Sequence, residues 1–270
     1  MSKQYHIHLE EGECAPYVLL PGDPGRVAQI ASLWDESHKV AQNREFVTYS
    51  GLYKGVPITC TSTGIGGPST AIAMEELARV GGRTFIRIGT CGTFKDEVKN
   101  GDIIIFDSAA RYDGASIAYA PLEFPAVAHY KVVEACIQAA ENLNIPYHVG
   151  MTRTHDGLYS RQPKPGSSFN NYWQSDWANH YQDLKRMNII AAEMEAAVIM
   201  VQAKLWGLRA GGMAVSVINV LKPEEEDKIY NPAEEFNQSS ENIMRLAHIG
   251  SEAVRILAEM DASAGQLEAN

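Results

Sequence analysis

The sequence lacks several features, and each absence excludes a class of protein. Four cysteines occur in 270 residues and no two form a C-x-x-C pair, so we expect buried thiols in a reducing compartment. The longest relevant uncharged stretch, residues 210–221, is far shorter than the ~20 residues of a membrane-spanning helix. The N-terminal segment lacks the apolar core of a signal peptide. We therefore expect a cytoplasmic protein that does not bind a membrane.

Positive charge is also scarce. Lys and Arg together number 23 against 33 Asp and Glu, which gives a formal net charge of -10. A field of this sign repels nucleic acid and anionic membranes, so neither is an expected partner. It does not exclude a small anion, because charges more than roughly 8 Å away are largely screened at physiological salt. A local group of arginines can still bind phosphate.

The common cofactor and nucleophile motifs are missing. Gly64 and Gly66 begin like a dinucleotide-binding loop, but Ser69 stands where the third glycine would be. The chain has no GxxxxGK[ST] phosphate loop, no GxSxG nucleophile turn and no HExxH zinc motif. The sequence therefore supports neither NAD, a nucleoside triphosphate, a serine nucleophile nor zinc, and we expect no required cofactor.

Apolar runs alternate with helical patterns along most of the chain. The predicted strands are residues 17–21, 46–53, 56–62, 84–88, 102–106, 147–153 and 209–220. The predicted helices are residues 26–34, 68–80, 126–143, 193–205 and 234–260. This alternation, without a linker or a repeat, predicts an α/β fold with one domain over residues 1–270 and a mainly parallel sheet covered on both faces. We expect residues 1–5 and 261–270 to be flexible tails.

Three glycine-rich turns follow predicted strands, at residues 21–26, 63–69 and 89–92. Turns at the carboxyl ends of parallel strands meet at one edge of the sheet, where open α/β sheets bind ligands. Arg87 lies inside an apolar strand just before the third turn, and a buried guanidinium needs an anionic partner. That partner is either a bound phosphate, with Arg26 and Thr90 as further donors, or a protein carboxylate.

Two acidic residues, Glu193 and Glu195, stand at the start of a predicted helix. Residues two apart on a helix point about 200° apart, so a regular helix could not direct both at one site. An ionised carboxylate only accepts hydrogen bonds, and one of them could bind the paired hydroxyls of a ribose. The alternative is a favourable placement of acids at a helix N-terminus.

In this order, the motifs resemble those of the hexameric nucleoside phosphorylases, most closely the bacterial uridine phosphorylases. The resemblance extends from about residue 6 to about residue 258 and is weak over 160–190 and after Ile218. It rests on seven stretches, at residues 21–26, 43–46, 62–70, 87–90, 113–116, 120–128 and 193–195. It implies a twisted, mixed, partly barrel-like sheet flanked by helices.

The resemblance also implies a role for individual residues, with Arg87, Glu195 and Gln162 as the catalytic set. Phosphate would be bound by Gly22, Arg26, Arg87 and Thr90, with Arg44 from a neighbouring subunit. Ribose would be bound by Glu193, Met194, Glu195 and a partner's His8. The base would lie against Cys91, Leu158, Tyr159, Gln162 and Lys164. A monovalent cation such as K⁺ would bind at a dimer interface through Glu45, Ile65 and Ser69. The implied assembly is a homo-hexamer, a trimer of dimers with shared sites.

Three departures from the family pattern concern the base. Lys164 replaces an arginine that follows the glutamine by two residues, and Leu221 stands where a second arginine is expected. The stretch from Ser216 to Asn219 lacks the aspartate with which purine phosphorylases protonate their base. Gln162 favours a pyrimidine, so the expected reaction is uridine plus phosphate to uracil plus ribose 1-phosphate. The alternatives are a purine nucleoside phosphorylase or nucleosidase of the same fold, or a non-catalytic nucleoside-binding protein.

Overall fold

Ten strands lie in one sheet in the computed structural model, which describes residues 3–222 and 232–268. They are β1 (Tyr17–Leu20), β2 (Glu36–Asn43), β3 (Phe46–Tyr53), β4 (Val56–Thr61), β5 (Thr84–Thr93), β6 (Ile103–Tyr112), β7 (Ala126–Val127), β8 (Tyr147–His155), β9 (Ala191–Glu193) and β10 (Arg209–Asn219). The helices are α1 (Pro24–Ala31), α2 (Gly67–Arg79), α3 (Gly114–Tyr119), α4 (Tyr130–Asn142), α5 (Asp176–Arg186), α6 (Ala196–Leu205) and α7 (Pro232–Glu268).

The sheet is mixed and closes on itself at one side. The strand order is β10-β6-β8-β9-β5-β1-β4-β3-β2, and β10 also pairs with β5, so that five strands form a closed ring. At its centre β10, β5, β1 and β4 run parallel to one another. The hairpin strands β2 and β3 extend the sheet in antiparallel order. The predicted α/β fold with a mixed, partly barrel-like sheet is therefore confirmed.

Helices pack on both faces of the sheet because its central strands are apolar on both faces. In β1, Leu19 packs in one buried cluster with residues of α1, α4 and α7. Val18 and Leu20 point the other way and pack with residues of α2 and α6. Within the described residues, no helix is long and apolar enough to cross a membrane.

Several element boundaries differ from the sequence prediction. The helix predicted over 126–143 begins only at Tyr130, because His129 caps it by accepting a hydrogen bond from the Lys131 amide, while residues 126–127 form β7. The helix predicted from Glu193 begins at Ala196, since residues 191–193 pair with β5 and β8 as β9. Strand β2 and helices α3 and α5 are absent from the prediction. Residues 261–268 of the predicted tail continue α7, and residues 1, 2, 269 and 270 lie outside the described residues.

The turns after β1 and β4 are tied together, as the convergence of parallel strand ends predicts. The Thr63 amide donates to the Pro21 carbonyl at 2.9 Å, and the Gly64 amide donates to the Gly22 carbonyl at 3.0 Å. A Cβ on Gly22 would lie 3.2 Å from the Gly64 carbonyl oxygen, so the two backbones approach closely. With β5 beside β1, three strand ends form one edge.

Candidate functional site

The turn after β1 brings Arg26 to the sheet edge. The Asp23 carboxylate accepts a hydrogen bond from the Gly25 amide at 2.8 Å and so caps α1, which carries Arg26 in its first turn. Burial lowers the pKa of Arg26, and the like charge of Arg87 lowers it further, although Asp23, 3.8 Å away, opposes the shift. Two guanidinium groups therefore share one partly buried region, an arrangement that favours an anion.

Arg87 projects from β5 and is 4% exposed. Its guanidinium lies over Gly89 of the same strand, where a Cβ would come within 2.9 Å of Nη2. Gly89 therefore leaves the space in which the Arg87 head group lies, and any side chain at this position would displace it.

Arg87 is bound by two carboxylates. Its Nε lies 2.7 Å from Oε2 of Glu193, and its Nη2 lies 2.6 Å from Oε2 of Glu195. Burial alone lowers the pKa of Arg87, but the charges of Glu195 and Glu193 outweigh it and raise the pKa above the ordinary value. Of the two partners that the sequence allowed, the structure shows the protein carboxylate, and phosphate binding at Arg87 stays a prediction. We call Arg87, Glu193 and Glu195 the arginine–glutamate cluster.

Both glutamates reach one guanidinium because they do not share a helix, which corrects the expectation drawn from their spacing. Glu193 is the last residue of β9, and its Oε2 accepts from the amides of Glu195 and Ala196, each at 2.8 Å. Glu195 is the N-cap of α6, and its Oε1 accepts from the Gly66 amide at 2.5 Å. The strand-to-helix turn directs both side chains inward.

The charge of Glu195 is disfavoured by its surroundings. Burial raises its pKa, and Glu193 adds to this, while Arg87 and the Gly66 amide act in the opposite direction. One guanidinium faces two buried carboxylates, so the cluster holds an excess negative charge. Such a carboxylate is a strong acceptor for hydroxyl groups. Thr90 and Met194 are both half-buried beside the cluster, Thr90 on β5 and Met194 between the two glutamates.

The base side of the candidate site is carried by residues 157–175, which we call the base loop. Leu158 and Tyr159 are 53% and 56% exposed, so they do not enclose a pocket within one chain. The Gln162 Nε2 donates to the Leu158 carbonyl at 2.6 Å, and its Oε1 accepts from the Tyr181 hydroxyl at 3.4 Å. Lys164 is half-buried on the same loop. Opposite, Cys91 is buried on β5, and burial raises the pKa of its thiol, which argues against a reactive thiolate.

His8 and Arg44 lie together at one surface cavity. Both are exposed, both have a left-handed backbone, with φ of 57° and 52°, and both line a surface cavity of about 360 Å³. Neither Arg26 nor Arg87 lines that cavity. The single chain thus brings these two predicted residues together, at a cavity that the two buried arginines of the sheet edge do not line.

The three residues of the predicted cation site lie around Gly64. A Cβ on Gly64 would meet Glu45 Cγ at 2.8 Å and Ser69 Oγ at 3.0 Å. The Ser69 hydroxyl donates to the Ile65 carbonyl at 3.3 Å, and the Ile65 side chain is exposed. The described residues contain no group of three His, Cys, Asp or Glu side chains that could hold a metal ion. Any ion at Gly64 would be bound by hydroxyl and carbonyl oxygens beside one carboxylate.

Comparison with known proteins places this geometry in a family. The model of the phosphorylase superfamily matches residues 16–254, which include the whole arginine–glutamate cluster and all three turns. This chain belongs to the phosphorylase superfamily. The predicted nucleoside phosphorylase resemblance is therefore confirmed at the level of the family.

Similar proteins are named either uridine phosphorylase or guanosine phosphorylase. A uridine phosphorylase of Thermococcus kodakarensis is 46% identical over 258 residues, covering 96% of this chain and 88% of that protein. A uridine phosphorylase of Escherichia coli is 38% identical over 232 residues, covering 83% of this chain and 90% of that protein. A guanosine phosphorylase of Halorubrum lacusprofundi is 40% identical over 213 residues, covering 79% of this chain and 82% of that protein.

The candidate site contains supporting residues whose contacts the sequence does not reveal. The Thr154 hydroxyl donates to Oε1 of Glu193 and accepts from the Ala197 amide at 2.9 Å, so it joins β8 to the start of α6. Gly66 has a φ of 87° and directs its amide at Glu195. The sequence shows Gly64 and Gly66 before a predicted helix, so the turn at Gly66 could be found. No sequence motif includes Thr154. Only the pairing of β8 with β9 identifies it.

Proposed function

We propose that this protein cleaves the N-glycosidic bond of uridine with inorganic phosphate and releases uracil and ribose 1-phosphate. The observation that carries the proposal is the arginine–glutamate cluster at the edge where β1, β4 and β5 end. It combines an anion-binding guanidinium with acceptors for sugar hydroxyls within one buried site. Family membership and the named uridine phosphorylases support the same reaction.

The chemistry follows from the charges. Phosphate must lose its water and face the anomeric carbon, and Arg26, Arg87, Thr90 and the Gly22 turn supply the donors. Glu195 would accept from the ribose hydroxyls and release part of its hold on Arg87, with Met194 against the sugar. The sugar becomes cation-like as the bond breaks, and the neighbouring phosphate stabilises it. The base departs with negative charge and needs donors, for which Gln162 and Lys164 are placed on the base loop. No covalent nucleophile is needed.

A homo-oligomer, which we propose to be a hexamer built as a trimer of dimers, would complete the site. Within the cluster one arginine faces two carboxylates, and Arg26 only balances the excess, so a phosphate dianion requires further positive charge. Arg44 and His8 lie on a separate surface of the same chain, from which they could serve a neighbour. We also propose K⁺ at Glu45, Ile65 and Ser69, and a reducing cytoplasmic location, which the four buried free cysteines fit.

A purine nucleoside phosphorylase is the second candidate, favoured by the guanosine phosphorylase of Halorubrum lacusprofundi. Between the end of β10 and Lys222, where this part of the described chain stops, no residue offers an acid for a purine ring. Asn219 stands there, and its amide donates to the Lys95 carbonyl at 3.1 Å and accepts from the Leu221 amide at 3.0 Å. These backbone contacts make Asn219 a loop-stabilising residue and favour the pyrimidine.

A substrate panel tests the proposal. Uridine, thymidine, inosine and guanosine are incubated with and without phosphate, and free base and sugar phosphate are measured. We expect uracil release from uridine that requires phosphate and yields an equal amount of ribose 1-phosphate. Faster release from guanosine or inosine would replace the pyrimidine assignment with the purine one. Base release without phosphate would show a nucleosidase, and uridine binding without release would show a binding protein.

A further inference from the structure

Arg153 is a buried cation without a hydrogen-bonding partner in the part of the chain that the structure describes. It is 1% exposed on β8, and no hydrogen-bond partner for its Nε, Nη1 or Nη2 lies among the described residues. The contact its head group does make is with the ring of Tyr181, whose centroid is 5.2 Å from the guanidinium carbon. An aromatic face attracts a cation but accepts none of its N–H groups in a directed way.

An unpaired guanidinium at this depth costs several kcal/mol, which a protein carboxylate would normally offset. Arginine is a donor only and cannot lose its proton, so the missing partner must be an acceptor. Its positive charge also reaches the nearest histidines. Burial and then Arg153 lower the pKa of His155 to about 3, and the same two causes lower the pKa of His180. These neighbours stay neutral, and they neither compensate the charge of Arg153 nor add to it.

The position of Arg153 connects it with the base side of the candidate site. In the pairing of β8 with β9 it lies opposite Ala192, directly before Glu193. The next residue, Thr154, donates to Glu193. The guanidinium of Arg153 lies over the ring of Tyr181. The Tyr181 hydroxyl in turn donates to Oε1 of Gln162 at 3.4 Å. Neighbouring residues of a strand point to opposite faces, so Arg153 faces away from Thr154 and Glu193 and toward Tyr181, which binds the glutamine expected to meet the base.

We propose that Arg153 is a specificity-determining residue that donates hydrogen bonds to a keto oxygen of the pyrimidine base. This inference rests on the proposed function. It gives the base site a guanidinium from β8, where Lys164 and Leu221 leave it without the two arginines of the family pattern. A donor-only group binds a keto oxygen and has nothing to offer an exocyclic amino group in the same place. As the base departs, its negative charge spreads to the keto oxygens, so the same contact strengthens in the transition state.

The first test compares substrates that differ by one atom. Wild type, Arg153→Met and the control Arg186→Met are assayed with uridine, with the pyrimidin-2-one ribonucleoside that lacks the 4-oxygen, and with 2-thiouridine. Arg186 is exposed at the end of α5, outside the base loop, and carries the same charge, so Arg186→Met shows the effect of losing one positive charge alone. We expect Arg153→Met to lower kcat/KM for uridine about 100-fold, the size of a lost charged hydrogen bond, with the KM for phosphate unchanged. The loss should be far smaller for one of the two analogues.

An equal loss on all three substrates, or an equal loss in Arg186→Met, would overturn the assignment of Arg153. Wild type without uracil release would instead overturn the proposed function. A second measurement separates recognition from folding, because exchanging an unpaired buried charge for an apolar side chain does not destabilise a fold. We expect Arg153→Met to keep or raise the melting temperature and to weaken uracil binding, measured calorimetrically with phosphate present, while Arg153→Lys retains part of it. A lowered melting temperature with unchanged uracil affinity would show a structural role.

Discussion

The arginine–glutamate cluster and the base loop meet at the same candidate site but are held in different ways. The cluster is bound by contacts between segments far apart in the chain, as in the pairing of Glu195 with Gly66 and with Arg87. The base loop is held by contacts within itself, such as that of the Trp173 indole with the Gln162 carbonyl. The residues proposed for phosphate and sugar are thus joined through the sheet, whereas Gln162 and Lys164, proposed for the base, lie on a segment with mainly local contacts.

The difference extends to backbone conformation. Three non-glycine residues of the base loop, Arg161, Asn170 and Asn171, have φ between 53° and 55°. For an L-residue the left-handed region costs roughly 1 kcal/mol, least for asparagine. In the cluster the unusual φ falls on Gly66, where it costs no side-chain clash. The conformation of the base loop therefore includes backbone strain that the turn at Gly66 avoids. A bound base would add contacts that stabilise the loop.

The largest effect is expected from Arg87→Ala. Loss of the guanidinium removes the main phosphate donor and leaves two carboxylates buried without compensation. We expect phosphorolysis to fall by more than about 1000-fold and the free energy of unfolding by about 3 kcal/mol. Uracil release measures the rate of phosphorolysis, and urea unfolding measures the free energy of unfolding. Arg209→Ala is the control, since Arg209 is paired with Asp261 outside the site and its loss should reduce stability alone. Near-normal phosphate-dependent turnover in Arg87→Ala would refute the cluster's role.

A smaller effect is expected from Gly89→Ala, which tests the geometry of the cluster without deleting a charge. The new Cβ would lie 2.9 Å from Nη2 of Arg87 and must displace the guanidinium. We expect the KM for phosphate to rise and kcat/KM to fall about 10- to 100-fold, since small misplacements of a catalytic group are costly. In the control Gly114→Ala the Cβ meets Asp156 at an ordinary 3.4 Å. Unchanged phosphate kinetics in Gly89→Ala would mean that the position of Arg87 does not matter.

The same contrast explains how much the sequence could predict. The turns at 21–26 and 63–69 were placed at one edge because parallel strands end together, and Arg87 was recognised as needing an anion because it interrupts an apolar run. The sequence could not identify Glu193 and Glu195 as the partners of Arg87, because they lie more than a hundred residues further along the chain. Glu193 was assigned to a helix because acids favour helix starts, and only its pairing with β8 makes it a strand residue. Strand β2 has no alternating burial, being an exposed hairpin edge, so no period-2 pattern marked it.

The variant Gln162→Leu, on the base loop, should raise the KM for uridine and leave the KM for phosphate unchanged. The variant loses the amide that donates to Leu158 and accepts from Tyr181, and with it a hydrogen-bonding partner for the base. We expect the KM for uridine to rise about 10-fold at constant phosphate KM, the size of one lost hydrogen bond to a neutral group. Tyr181→Phe, which removes only the hydroxyl that orients Gln162, should give a smaller rise. A parallel change in both KM values would show that loop and cluster do not act separately.

The smallest effect is a dependence of stability on pH, at the point where β8 passes into the base loop. Burial, and after it Arg153 and Arg161, lower the pKa of His155 to about 3 in the folded chain, against about 6.5 when unfolded. Between these values the unfolded chain binds a proton that the folded chain does not, so stability is lost as pH falls through this window. The slope for one such group is at most about 1.4 kcal/mol per pH unit. His155→Gln should remove it, measured as the difference between the two proteins in urea unfolding at pH 7, 6 and 5. Identical slopes would mean that the folded chain protonates His155 in the same pH range as the unfolded chain, and that its pKa is not lowered.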